Sequence, residues 1–104
     1  MNYIDFTIIQ ASIDHGRIYF DASHRSFFPE DAIGARGKDE HAPATVMIEV
    51  NGEVIETDIR NVSSVRLSPR KAVKSWLKNL KATDGAVARL HRIGERQYKL
   101  EYLG

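Results

Sequence analysis

Four histidines, an absence of cysteine and one short polar run decide what chemistry this chain could carry. His15, His24, His41 and His91 stand at spacings that match no zinc signature, and there are no thiolates to complete a structural zinc site. Ser63 and Ser64 lack the glycine-flanked setting of a nucleophile elbow, and no glycine-rich loop is available to cradle phosphates. Glu53 with Glu56, or Asp39 with Glu40, read as the wet side of a strand or loop, because nothing near them in sequence would shift a carboxyl pKa. The expectation is a domain with no catalytic constellation, no metal and no cofactor. Recognition chemistry remains. In the run Arg60, Asn61, Ser63, Ser64 and Arg66, arginine can fork onto guanine O6 and N7, asparagine onto adenine N6 and N7, and serine onto phosphates or base edges. The same run also reads as a polar β-turn whose serines bond the local backbone. Arg17, between His15 and Tyr19 at an earlier bend, invites both readings.

Charge favours the first reading without deciding it. The formal net charge is only +1, yet residues 1–59 hold 4 Lys/Arg against 11 Asp/Glu, and residues 60–104 hold 11 against 3. A domain with one basic surface attracts a polyanion through counterion release whatever its total charge. The lysines Lys71, Lys74, Lys78 and Lys81 account for much of the excess, and they fit equally well as the solubilising flank of an amphipathic helix.

Several elements must position these residues. At 104 residues, 42% hydrophobic and 28% charged, the chain reads as a single globular domain over 1–104. Tyr3 to Ile9 alternates Ile4, Phe6 and Ile8 against Asp5 and Thr7, the period of a half-buried strand. Asp14-His15-Gly16 reads as a turn, after which Arg17 to Phe20 resumes a strand. Asp21 and Ser23 cap a short helical turn ending near Phe27-Phe28, stopped by Pro29. GARGKDEHAP, residues 34–43, reads as an exposed loop. Thr45 to Val50 and Glu53 to Ile59 form a hairpin about Asn51-Gly52, since both residues tolerate positive φ. RNVSSVRL then supplies two short β pieces around a bend. Ser68-Pro69 opens a helix running to about Ala82, with Val73, Trp76, Leu77 and Leu80 as its apolar stripe. Ala86 to Ile93 and Arg96 to Leu103 close the chain as a second hairpin. The expected fold is mainly β with one main α-helix: about seven mostly antiparallel strands in one curved sheet, an open pseudobarrel.

The N-terminal MNYIDFTIIQASID places Asp5 where a secretory signal needs basic and then apolar residues, and no segment approaches the roughly twenty apolar residues of a membrane span. A cytoplasmic protein with no membrane partner is expected.

The order of pieces, from RIYFDASHRSFF through the polar bend to KSWLKNLKATDGAVARLHRI, resembles the DNA-binding pseudobarrel superfamily. That superfamily includes plant B-three transcription-factor domains and the DNA-recognition domains of bacterial restriction endonucleases. Asp84-Gly85 here stands in the order opposite to the family's Gly-Asp. The resemblance implies two arms gripping the major groove. The first is implied at Ser12, Asp14, His15, Gly16, Arg17 and Tyr19, and the second at Arg60, Asn61, Ser63, Ser64 and Arg66. Taken with the residue chemistry, it implies a sequence-specific binder of double-stranded DNA without catalysis of its own, serving as the recognition part of a linked or associated nuclease, with a free-standing transcription regulator as the nearer variant. The rivals are a protein-assembly domain with a basic face, which should expose an apolar patch, and a small hydrolase or ligand-binding barrel using His15 and His24.

Overall fold

The computed structural model describes residues 2–34, 44–61, 65–67 and 70–104. Among the described residues nine strands are arranged in two sheets around one core, where a single curved sheet of about seven was expected. The first, β1 (Tyr3–Thr7), is followed by a short helix α1 (Gln10–His15) and by β2 (Ile18–Phe20). Two 3₁₀ segments, Ala22–Phe27 and Glu30–Ala32, lead to the two-residue β3 (Ile33–Gly34). Then come β4 (Val46–Val50), β5 (Glu53–Thr57), β6 (Ile59–Asn61), β7 (Val65–Leu67), the main helix α2 (Lys71–Asn79), β8 (Val87–Gly94) and β9 (Gln97–Tyr102).

The larger sheet has the order β1-β8-β9-β4-β5 and the smaller β2-β7-β6-β3. Most pairs are antiparallel, but β4 with β9 and β3 with β6 are parallel, so both sheets are mixed. The run 53–59, expected as one strand, is cut at Asp58: Thr57 ends β5 in the larger sheet and Ile59 begins β6 in the smaller. The first short piece expected in RNVSSVRL thus begins already at Ile59, and the two-residue parallel edge strand β3 is a strand that the local pattern did not announce. Periodicity tells strand from helix but not which sheet a strand joins.

The local signals hold up well. Asn51 and Gly52 take φ of 54° and 79°, the double positive φ of a tight hairpin turn, between strands paired Val50 to Glu53. Asp21 accepts the Ser23 N–H at 2.9 Å and caps the first 3₁₀ segment as expected. Helix α2 begins at Lys71, two residues later than Ser68-Pro69 implied, with Arg70 as an N-cap that makes no side-chain capping bond; Ser68 and Pro69 lie outside the described residues. It buries Ala72, Val73, Trp76 and Leu77, whereas Leu80 lies beyond the helix and is exposed.

The inner face of the larger sheet contributes Phe6, Val46, Ile48, Val50, Leu90 and Tyr98, and that of the smaller sheet Ile18, Phe20, Ile59, Val65 and Leu67. Phe6 meets Phe20 edge-on at 5.2 Å, Phe20 meets Phe28 at 5.2 Å and Phe28 meets Tyr98 at 5.5 Å, a chain of rings that crosses between the sheets. Each such contact adds about 0.5 to 1.5 kcal/mol beyond the area it buries. This shared core holds the smaller sheet's outer face in place.

Candidate nucleic-acid interface

The smaller sheet gathers residues from both expected arms onto one surface. Pleating turns alternate residues to opposite faces. Ile18, Leu67 and Ile59 point into the core, and the next row, Tyr19 of β2, Arg66 of β7 and Arg60 of β6, lies across the outer face. Tyr19 is the register partner of Arg66, and Arg66 of Arg60. Arg17 joins the row through its Nη1, which donates to the Tyr19 hydroxyl at 3.3 Å. The Arg17 Nε–H is buried with no hydrogen-bond partner among the described residues. Arginine carries five N–H donors and no acceptor, so this side chain still has donors to offer.

The row is framed by the sheet's two ends. Arg17 precedes β2 at the end where Ile18 pairs with Leu67, while Asn61 and Val65, the residues on either side of segment 62–64, lie at the Phe20 end. Ser63 and Ser64 fall outside the described residues, and Asn61 is described by its backbone alone.

The first arm is built differently from the open bend expected. Residues 10–15 coil into α1, and Gly16 caps it in the left-handed conformation, φ 69°, returning its N–H to the Ser12 carbonyl at 2.8 Å. The signal was a Gly directly after a six-residue stretch free of helix breakers. As a result Ser12 turns inward, 1% exposed with its Oγ buried, and presents no surface to a ligand. Asp14 accepts from Gln10 Nε2 at 3.0 Å along the helix, and His15 is exposed in the last turn. A Cβ at Gly16 would stand 2.5 Å from the Arg70 carbonyl oxygen and 2.9 Å from Lys74 Cβ, so the arm rests directly on α2. Arg70 adds two ties, its N–H to the Gly16 carbonyl at 3.2 Å and its Nη2 to Thr57 Oγ1 at 2.7 Å.

Arg60 is less available than its sequence context implied. Its side chain is 14% exposed and lies 3.8 Å from the Asp58 carboxylate, itself 16% exposed. Asp58 stands two residues before Arg60, at the break between β5 and β6, and this nearby carboxylate is the signal for the pairing that the sequence carries. Arg66 is half-buried and makes no ion pair among the described residues.

Electrostatically the two sheets differ. On the larger sheet's outer face Arg89 pairs with Asp5 at 2.7 Å, Lys99 with Glu49 at 3.3 Å and His91 with Glu101 at 2.8 Å. The Arg89 hydrogen bond lowers the Asp5 pKa below the usual carboxylate range. Arg96, from the turn between β8 and β9, does the same to Asp31. The acidic N-terminal half thus neutralises the C-terminal strands. Lys71, Lys74, Lys78 and Lys81 make no ion pair among the described residues.

His24 lines a groove of about 610 Å³ with Tyr3, Asp5, Ser23, Phe27 and Arg92, but His15 is not part of it. Arg92 there donates its Nε–H to the Gly94 carbonyl at 3.3 Å and one Nη2–H to the Glu95 carbonyl at 3.0 Å. No group of three or more His, Asp or Glu suited to a metal occurs among the described residues. Among those residues, too, no helix is long and apolar enough to cross a membrane. Elsewhere Val54 (62% exposed) and Ile93 (57%), with Met47, line a hollow of about 300 Å³ on the larger sheet.

No protein-family model matches the sequence, and neither does any curated protein. Among solved structures, the fold is similar to that of the N-terminal domain of Helicobacter pylori LlaJI.R1, with a TM-score of 0.67 at 14% identity, covering 100% of this chain and 88% of that one.

Proposed function

We propose that residues 1–104 act as one unit that binds double-stranded DNA sequence-specifically, laying the major groove across the outer face of the smaller sheet. The observation that carries this reading is the row Tyr19–Arg66–Arg60 with Arg17 hydrogen-bonded to its end. Like charges at directly opposed positions of an antiparallel pair are destabilising, and a bound anion would offset that cost. Among the described residues, Asp58 stands beside Arg60 and no carboxylate stands beside Arg66. A phosphate or a guanine edge would answer Arg66 and Arg17. The α1–Gly16 arm flanks the row at the Arg17 end, so a duplex over the row would meet it.

The unit adds no catalysis of its own in this reading and works in the cytoplasm as the recognition module of a linked or associated nuclease. The fold likeness to the N-terminal domain of LlaJI.R1, whose name has the form used for restriction enzymes, supports that setting alongside the sequence resemblance. A free-standing regulator would use the same surface. Selection of bound sequences from a random duplex pool tests the reading. An enriched motif is expected, bound with an affinity that falls steeply with salt. No enrichment together with a flat salt profile would remove it.

A second reading, subunit assembly, is favoured by the apolar hollow at Met47, Val54 and Ile93. It places the contact on the other sheet, so loss of self-association in Val54→Lys with unchanged DNA binding would assign the two roles to separate faces.

A further inference from the structure

We infer that Lys71 and Lys74 of α2 extend the interface as backbone-phosphate contacts beyond the first arm, so the lysine flank of the helix is part of the DNA footprint and not merely solvated. The inference rests on the DNA-binding reading above. Its separate ground is the packing of Gly16 on α2. The close approach of Gly16 to Lys74 Cβ and to the Arg70 carbonyl leaves no room for a side chain between arm and helix. The Arg70 N–H bonded to the Gly16 carbonyl fixes the two together. Arg17 follows Gly16 directly, and Lys71 stands one turn before Lys74 on the same exposed side of α2. A duplex that reaches Arg17 therefore runs on over the start of the helix.

Charge pairing points the same way. Among the described residues Arg60, Arg89, Arg96 and Lys99 are matched by carboxylates, whereas the helix lysines, Lys71 and Lys74 among them, make no ion pair; position beside Gly16 is what sets these two apart. Phosphate contacts from lysine are point-charge contacts: they fix position and add affinity without reading bases. Lys81, past the end of α2 and two turns from Lys74, lies outside the footprint.

The test is salt-dependent binding of the intact chain to a fluorescein-labelled duplex carrying its selected motif, or a mixed-sequence duplex. Lys71→Gln with Lys74→Gln should reduce the slope of log affinity against log salt by about 2, so that the fall between about 50 and 200 mM salt shrinks roughly tenfold. The selected motif should stay the same. Lys71→Arg with Lys74→Arg should keep the slope, and Lys81→Gln should leave it unchanged. An unaltered slope in the double glutamine variant overturns the inference while leaving the DNA-binding reading in place. An equal drop in Lys81→Gln would also overturn it, because bulk charge and not position would then be responsible. A drop in the arginine variant would make the effect structural, with the same consequence. A wild-type chain that binds no duplex at any salt overturns both.

Discussion

Arg66 and Arg60 sit opposite each other in the same ladder, yet their surroundings predict unequal losses. Arg66 has no carboxylate beside it among the described residues, so Arg66→Ala should cost about 1 to 3 kcal/mol on the preferred duplex and less on mismatched ones if it reads a base. Arg60 is already held by Asp58 and largely covered. Arg60→Ala should therefore show more of its effect as lost stability, because it leaves the Asp58 carboxylate half-buried without its partner. Titrating both variants against matched and mismatched duplexes, with urea unfolding in parallel, separates the two; a larger discrimination loss in Arg60→Ala would reverse the ranking. Tyr19 makes a finer case. Its hydroxyl holds Arg17 at 3.3 Å, so Tyr19→Phe should weaken binding by freeing that guanidinium, and the loss should vanish in an Arg17→Ala background. At this scale the residue types of the candidate row were readable, because arginine and tyrosine have limited recognition chemistry. Their availability was not, since Asp58 beside Arg60 and the burial of Ser12 depend on pairing and packing between elements.

Legibility at the element scale followed distance along the chain. The Asn51-Gly52 hairpin and the Val73, Trp76, Leu77 stripe are specified within a few residues, and both are present. The division of 53–59 between two sheets and the parallel pairs are set by partners dozens of residues away, which no local pattern records. Helix α1 lies between these cases, announced only by the glycine that ends it. Gly16 carries two demands at once, a φ of 69° and contact with the α2 backbone. Gly16→Ala would meet the first at a cost of about 1 kcal/mol and the second only by separating α1 from α2. We expect destabilisation of about 2 kcal/mol or more, with reduced affinity from displacement of Arg17 and Lys74. Gly52→Ala is the comparison, since nothing lies within 4 Å of a Cβ there. It should cost only the turn strain. Equal losses in the two variants, measured by denaturant unfolding, would mean that the arm does not bear on the helix.

For the whole molecule, ionisable groups held by hydrogen bonds or by burial should shape the pH dependence of stability at both ends. On the acid side, Asp5 is held below the usual carboxylate range by its hydrogen bond from Arg89 across β1 and β8, and Asp31 by Arg96 from the β8–β9 turn. A depressed folded pKa gives stability that is complete above the ordinary carboxylate value of about 3.8 and fades as pH falls through the lowered values. On the alkaline side stands Tyr98, buried beneath Phe27 and Phe28 with its hydroxyl donating to the Phe27 carbonyl at 2.9 Å. Burial raises its pKa above the ordinary phenol value of 10.0, so its contribution is complete below that value and is lost as pH rises past it. Tyr98→Phe keeps the ring stack but leaves the carbonyl without its donor, a loss of about 1 kcal/mol at neutral pH. Urea unfolding followed by the fluorescence of Trp76, the single tryptophan, which packs edge-on to Tyr102 at 6.4 Å, reads this through the joined core. The difference between wild type and Tyr98→Phe should be constant from about pH 6 to 9 and should narrow above about pH 10, because only the wild type has a phenol to ionise. A difference that stays constant to about pH 11 would mean that the hydroxyl is not held in the core on the Phe27 carbonyl. The acid limit should be the same in both proteins, since Asp5 and Asp31 are paired on the outside of the fold and do not depend on that bond.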